Sequence, residues 1–356
     1  MKRLVICCDG TWNTPDQKDR GVMRPTNVVK LARWVMPQDR NGVAQRVHYD
    51  PGVGTGDIVD RAFGGMFGVG LAHNVRQAYE FLSSHYEDGD QVFLFGFSRG
   101  AYTVRRAVGM VRKCGVLPRI DDKDAREAAI GEGYGTYLQR GGGPDSEAAV
   151  AYRKRHGCRA ITVRCLGVWD TVGAYGIGGV MGQLTSRLSK SRFHDRRLSS
   201  IVERAYQAVA IDETRRLFQP NLWEQGPNGL AKNQVLEQSW FAGVHSNVGG
   251  GYEDTGLSDI TLHWMATRAE QCGLELDRKW RDRVDPDEFG ELRESRTGIY
   301  LFMGKAVRRI GGQKNGCEKA HNAALDRMAR DPAVYAPANL VAYRDSKEFK
   351  VDLSEP

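Results

Sequence analysis

Gln91-Val92-Phe93-Leu94-Phe95-Gly96-Phe97-Ser98-Arg99-Gly100-Ala101 is the stretch on which the fold turns. An apolar run rich in β-formers leads into a G-x-S-x-G, Gly96 to Gly100. Behind it, Ala101, Val104, Val108 and Val111 recur at helical spacing. Strand, tight turn and helix are the setting in which this pattern strains a serine and points its Oγ out at the strand's carboxyl end. The glycines let strand and helix approach closely. The Arg99 amide opens the helix, where backbone N–H groups lack intrahelical partners and can bind an oxyanion. The competing reading is an ordinary βα turn with a serine N-cap. What separates the two is whether an aspartate and then a histidine follow, each at the end of its own strand.

The totals narrow the class. A chain of 356 residues has room for one large α/β domain. Its 7 cysteines are odd in number and scattered, with no C-x-x-C, which argues for folding in a reducing compartment. The first apolar run is too short for a signal peptide, and none approaches the roughly 20 residues of a membrane span. The expected location is therefore cytoplasmic, with export by a signal-independent secretion system as the alternative. The formal charge of +7 is spread along the chain, with clusters such as Arg153-Lys154-Arg155. No nucleic-acid motif accompanies it, so no nucleic-acid partner is expected.

Outward from the nucleophile stretch, strand and helix alternate. Residues 3–8 read as a buried strand ending in Asp9-Gly10-Thr11. A helix follows Thr26 or Asn27 as N-cap, then a strand over 45–49 and a helix over 71–86. Beyond Val111 come a polar insertion at about 118–158, a strand over 160–169 and a glycine-rich loop. A helical segment spans 200–210, a strand 235–244 and a helix 261–273. From about 274 the chain turns charged and reads as a peripheral, mostly helical tail. The alternation predicts an α/β fold: a mostly parallel central sheet with helices on both faces, as one domain over 1–356. The insertions at about 118–158 and 173–234 follow strand ends that carry site residues, so they are expected over the site as caps or lids.

Asp170 and His245 stand directly after two of these strands, completing the order Ser98, Asp170, His245. Strand ends of a parallel sheet share one edge, so the three can converge there. Imidazole would take the serine proton, and the carboxylate would fix its tautomer. Asp9 and Asp259 are rivals for the acid, and His321, in a helical stretch over 318–328, for the base. A second oxyanion donor is expected from the amide of Gly10 or Thr11, beside that of Arg99. No metal-ligand spacing and no cofactor motif is found, although Asp9, Asp50 and Asp170 could converge on a cation. Gly52-Val53-Gly54-Thr55-Gly56 resembles a phosphate loop only loosely and lacks its Lys-Ser/Thr ending.

Taken together, several motifs resemble the DUF2235 α/β-hydrolase family. They are Cys8-Asp9-Gly10-Thr11-Trp12-Asn13, Tyr49-Asp50-Pro51-Gly52-Val53-Gly54, Gly96-Phe97-Ser98-Arg99-Gly100-Ala101, Val168-Trp169-Asp170-Thr171-Val172-Gly173, Ala210-Ile211-Asp212-Glu213 and Trp240-Phe241-Ala242-Gly243-Val244-His245. That domain is also the catalytic part of one class of type VI secretion lipase effectors. The resemblance runs from Met1 to about Leu340. It implies an α/β-hydrolase fold and a Ser-Asp-His triad, matching Ser98, Asp170 and His245. For effector members it implies phospholipase activity. From its length the chain is expected to lack the additional membrane-anchoring region of the large effectors.

The resulting expectation is a serine esterase or lipase acting on a carboxylic ester, that of a (phospho)lipid, through an acyl–Ser98 intermediate. The rivals are a non-catalytic binding or scaffold protein and an amide hydrolase with the same triad. Within 173–234, Leu184, Leu188 and Phe193 are combined with Arg187, Lys190, Arg192, Arg196 and Arg197, a pattern suited to peripheral contact with an anionic membrane. Its competitor is a strip packed on the core with a solvated cationic face.

Overall fold

The apolar runs form strands buried on both faces, which is why they read as continuous rather than alternating. The computed structural model describes residues 1–10, 13–52, 67–139, 142–172, 196–226, 228–312 and 317–355. Among them the main strands are β1 (Arg3–Cys8), β4 (Gln45–Asp50), β5 (Gln91–Phe97), β6 (Cys165–Trp169), β7 (Arg204–Ala210), β8 (Val235–Phe241), β9 (Glu318–His321) and β10 (Val351–Asp352). A short antiparallel hairpin, β2 (Lys18–Asp19) and β3 (Val22–Met23), stands apart. The main sheet runs β10-β9-β8-β7-β6-β5-β1-β4, and all its neighbours are parallel.

Successive strand residues feed opposite cores. Val5 and Cys7 of β1, with Phe93, Phe95 and Phe97 of β5, face one core; Leu4, Ile6, Val92 and Leu94 face the other. The first core is closed by α1 (Asn27–Trp34) and, later in the chain, by a helix over Gly256–Gln271. The second is closed by α2 (Phe67–His85) and α3 (Arg99–Cys114). Both faces are thus covered by helices, as the alternation predicts. Thr26 is the N-cap of α1, its Oγ1 accepting from the Val29 amide.

Four expectations are corrected. Residues 204–210 form not a helix but β7, fully inside the sheet between β6 and β8. The insertion at about 118–158 does form helices, α4 (Lys123–Leu138) and α5 (Glu147–His156). Their buried residues Ala129, Ile130 and Tyr152 join the core of α2 and α3. Their contacts fall on the far half of α3, where Cys114 donates to the Gly133 carbonyl and Lys113 to that of Gln139. They therefore thicken one helical layer and do not roof the strand edge.

The region from about 274 is not peripheral. After α6 (His245–Gly249) and α7 (Gly256–Gln271), it contributes β9, α8 (Asn322–Arg330), α9 (Ala338–Arg344) and β10. It is fastened to the sheet by buried polar groups. Trp240 Nε1 donates to Glu318 at 2.9 Å, and Asp352 accepts from Ser239 and from Trp264 Nε1. His321, placed by sequence inside a helix, ends β9 and caps α8.

One close approach sets the geometry of the nucleophile turn. A Cβ on Gly100 would lie 2.0 Å from the Cys8 carbonyl oxygen and 2.5 Å from that of Asp9. Neither backbone atom can yield without moving β1. Gly100→Ala should therefore lower stability by about 3 kcal/mol, as overpacking against fixed neighbours does. Gly131→Ala, in α4 with nothing within 4 Å of its added Cβ, should raise it by about 0.5–1 kcal/mol. Denaturant unfolding of the two variants checks both signs.

Candidate active site

The order of the sheet creates the site. The chain leaves β1 for β4 on one side, then returns to place β5 on the other. The carboxyl ends of β1 and β5 therefore diverge into a crevice, the position where open α/β sheets bind ligands. Ser98 follows β5 there and is 7% exposed. Its φ of 57° and ψ of −117° are the strained backbone that the glycine pattern predicts. The Ser98 amide donates to the Trp169 carbonyl at 3.0 Å, which ties the turn to the end of β6.

Asp170, the next residue after β6, also has positive φ, 39°, and is fully buried. His245 begins α6, after a short turn from β8. Its Nε2 lies 2.8 Å from Ser98 Oγ, and its Nδ1 lies 2.5 Å from Asp170 Oδ2. The three residues picked out by chain order thus meet in one hydrogen-bonded relay. The imidazole is wedged between Phe97, at 4.6 Å between ring centres, and Phe218, edge-on at 5.1 Å. Burial pushes the His245 pKa below its ordinary value, although the Asp170 bond pulls the other way.

Asp170 has a second partner that sequence reading did not find. Arg308 clamps it with both prongs, Nη1 to Oδ1 at 2.5 Å and Nη2 to Oδ2 at 2.9 Å. Arg308 is itself 1% exposed and also donates to the carbonyls of Ala210 and Phe218. With the Ala210 amide on Oδ1 at 3.0 Å and His245 on Oδ2, the carboxylate accepts four hydrogen bonds. Burial alone would push its pKa up. The Arg308 charge, aided by these bonds, holds it well below the usual carboxylate range. Arg308 sits in the charged stretch that reads as a tail, and no local pattern distinguishes it from exposed Arg309 beside it.

Two acidic residues from the Ala210-Ile211-Asp212-Glu213 motif hold the histidine turn. Asp212 accepts from the Gly243 amide at 2.6 Å and from Tyr335 Oη at 3.0 Å. Glu213 accepts from the His245 amide at 3.3 Å, from Ser295 Oγ at 2.9 Å and from Arg215 through Nε and Nη2. On the other side, Asn27 Nδ2 donates to the carbonyls of Val248 and Ser258 and to Thr261 Oγ1. The His245 turn is therefore fixed from several elements at once.

The rivals lie elsewhere. Asp259 pairs with Lys30 at 2.7 Å, and His321 stacks on Phe241 at 4.5 Å. Asp9 accepts from Thr26 Oγ1 at 2.6 Å and Tyr49 Oη at 2.9 Å, and burial raises its pKa. Asp50 is pushed up to about 6 by burial, then by neighbouring Asp9. Asp170 is committed to Arg308 and His245. Among the described residues no group of three or more His, Cys, Asp or Glu is placed to hold a metal ion.

Of the oxyanion donors expected, the Gly10 amide turns back onto Asp9 Oδ1 at 2.7 Å. In this conformation it is not offered to a substrate carbonyl. The Arg99 amide opens α3 immediately after Ser98, and helix geometry points first-turn amides toward that end. Thr11, the glycine loop 53–56 and the strip with Leu184, Arg187, Leu188, Lys190, Arg192 and Phe193 lie outside the described residues. The described part of 173–234 does border the site, through Phe218 and through the Asn221 amide on the Thr171 carbonyl at 2.8 Å.

Comparison with known proteins agrees with this architecture. A crystal structure of an uncharacterized protein from Pseudomonas aeruginosa aligns with a TM-score of 0.51 at 17% identity, a likeness of fold, and covers 81% of this chain and 49% of that one. The structure of the Tle1 effector bound to the VgrG spike of the type 6 secretion system aligns with a TM-score of 0.38 at 19% identity, over 72% of this chain and 52% of that one. The uncharacterized protein YEL023C of Saccharomyces cerevisiae is 27% identical over 234 residues, 61% of this chain and 32% of that protein. The chain therefore spans about a third of that curated relative and about half of each solved chain. Residues 2–268 match the family described as type VI secretion phospholipase effector Tle1-like, catalytic domain. That match runs through β1, Ser98, Asp170 and His245 and spans well over half the sequence: the chain belongs to the Tle1-like phospholipase effector catalytic domain family.

Proposed function

We propose that this chain hydrolyses a carboxylic ester of a phospholipid through an acyl–Ser98 intermediate. The observation that carries the reading is the unbroken relay from Ser98 Oγ through the His245 ring to Asp170, at the switch point of the sheet. Family membership supplies the substrate class.

The chemistry follows from the positions. Ser98 Oγ attacks the ester carbonyl carbon as its proton passes to His245 Nε2, and the carbonyl electron pair moves onto oxygen. First-turn amides of α3, that of Arg99 first, stabilise the oxyanion. The electron pair returns, the C–O bond to the alcohol breaks, and the alkoxide takes the proton from His245. Water then gives a proton to His245 and attacks the acyl carbon, and the same return of the proton frees Ser98 and the fatty acid. Asp170 fixes the Nδ1–H tautomer throughout and stabilises the imidazolium.

Three outcomes are expected. Ser98→Ala should lose ~10⁴-fold or more in kcat on phospholipid vesicles and on a p-nitrophenyl ester, and should no longer react with a fluorophosphonate probe. Wild-type turnover by this variant would remove the serine mechanism. Turnover of an amide matching that of the ester would instead favour the amide-hydrolase rival.

The base works only when neutral, and its pKa is lowered. kcat/KM should thus rise with pH through a midpoint below the ordinary imidazole value. A limb centred above pH ~7 would contradict the buried setting.

Arg308→Lys keeps a cation but loses the two-pronged clamp. We expect a folded protein with kcat down by roughly 10²-fold, because the carboxylate that aims His245 is no longer held. The acid limb should move upward, since an Asp170 less engaged by Arg308 favours the imidazolium more strongly. A pH–rate profile identical to wild type would make Arg308 merely structural.

A further inference from the structure

The hydrolase site carries beside it a surface that the reaction does not use. Between Ser295 and Arg308 the chain leaves the protein and returns in a loop with an apolar tip. Phe302 is 90% exposed, Leu301 51% and Val307 57%. Phe302 is the most exposed large apolar side chain among the described residues. Single exposed apolar residues are ordinary, but the adjacent Leu301 and Phe302 at the tip, with Val307 exposed farther along the same loop, call for a partner.

The loop is mounted on the site at both ends. At its start, Ser295 Oγ donates to Glu213, the same carboxylate that receives the His245 amide. At its end, Arg308 grips Asp170. Between them the Ala306 amide donates to the Thr214 carbonyl at 2.9 Å, and that of Arg216 to Gly304 at 3.3 Å. Tyr300 meets Phe218 edge-on at 5.7 Å, and Phe218 meets the His245 ring. Two ring contacts therefore separate the exposed tip from the imidazole.

Charge names the occupant. From Arg296 to Arg309 the sequence contains no acidic residue. Lys305 and Arg309 are exposed, as is Arg216, which packs against Gly304. Arg296 lies across the tip, its Nη1 donating to the Leu301 carbonyl at 3.2 Å. An aromatic and an aliphatic tip ringed by cations fits the boundary of an anionic bilayer. The apolar side chains enter roughly 5–10 Å, and the long cationic stems keep their heads at the phosphates. We infer that the loop over 296–307 is the surface through which the protein rests on an anionic lipid bilayer, with the mouth of the site facing the membrane. The inference rests on the proposed lipid substrate.

The test uses the full chain with Ser98→Ala, so that vesicles stay intact, and vesicles of equal parts phosphatidylcholine and phosphatidylglycerol. Adding L301S and F302S should weaken vesicle binding about tenfold or more, since binding scales with apolar area inserted. Adding K305Q and R309Q instead should weaken it at low salt, and this difference should vanish at high salt, where surface charges are screened. With Ser98 restored, L301S/F302S should turn over a soluble p-nitrophenyl ester at the wild-type rate and phospholipid vesicles more slowly. The two side chains are exposed, so thermal unfolding should not change.

Wild-type vesicle binding by L301S/F302S overturns the inference. So does a fall in sedimentation mass without loss of vesicle binding, which would assign the tip to a second copy of the chain. The two proposals can fail separately. Loop-dependent vesicle binding by a wild type that hydrolyses no ester leaves the docking surface and removes the hydrolase reading. Ester hydrolysis with vesicle binding indifferent to the loop does the reverse.

Discussion

The ionised carboxylate of Asp170 is the constraint around which the site is built. Fully buried, it would be costly to keep charged without partners, because a carboxylate taken from water loses several kcal/mol of solvation. Its four acceptor positions are met by the Ala210 amide, the His245 ring and the two prongs of Arg308. These donors come from different parts of the chain, and each is itself held. The Ala210 amide ends a sheet strand. His245 is pinned through Glu213, and Arg308 through the Ala210 and Phe218 carbonyls. Asp170 therefore holds the His245 ring in place and also joins the central sheet to the segments that follow it.

Arg308 has an electrostatic effect as well as a positional one. A carboxylate shared with a guanidinium attracts an imidazolium less than one facing it alone. Burial already disfavours the charged ring. Both effects favour the neutral ring. In the proposed mechanism, Asp170 would therefore act more by aiming the ring than by stabilising its charge.

The sequence made legible those features that depend on local rules. The turn at Ser98 needs glycines at fixed offsets, and the apolar runs have the length of strands, so strand ends and their order could be read directly. Asp170 and His245 were visible for the same reason. Residues 204–210 were misread because Ala205, Ala208 and Ala210 favour a helix on propensity, whereas a central parallel strand accepts small residues where large neighbours fill the space. Here the fully buried Trp169 and Trp240 stand on the strands either side. The last strands escaped notice because Glu318 and Asp352 look like surface residues until Trp240, Trp264 and Ser239 are seen to donate to them. Arg308 had no local signal at all, since its meaning lies in a contact 138 positions away.

That separation bears on where the working unit ends. The family match stops at residue 268, and the strands and helices that carry Ser98, Asp170 and His245 all precede it. A boundary drawn there would look complete by motif yet would leave Asp170 without its counter-charge. During synthesis the ribosome releases every motif residue well before it reaches Arg308, so the nascent chain holds a serine, a histidine and an uncompensated acid. The counter-charge of Asp170 thus comes from a stretch beyond the matched residues, so the pairing that holds the acid spans a boundary the motifs do not mark.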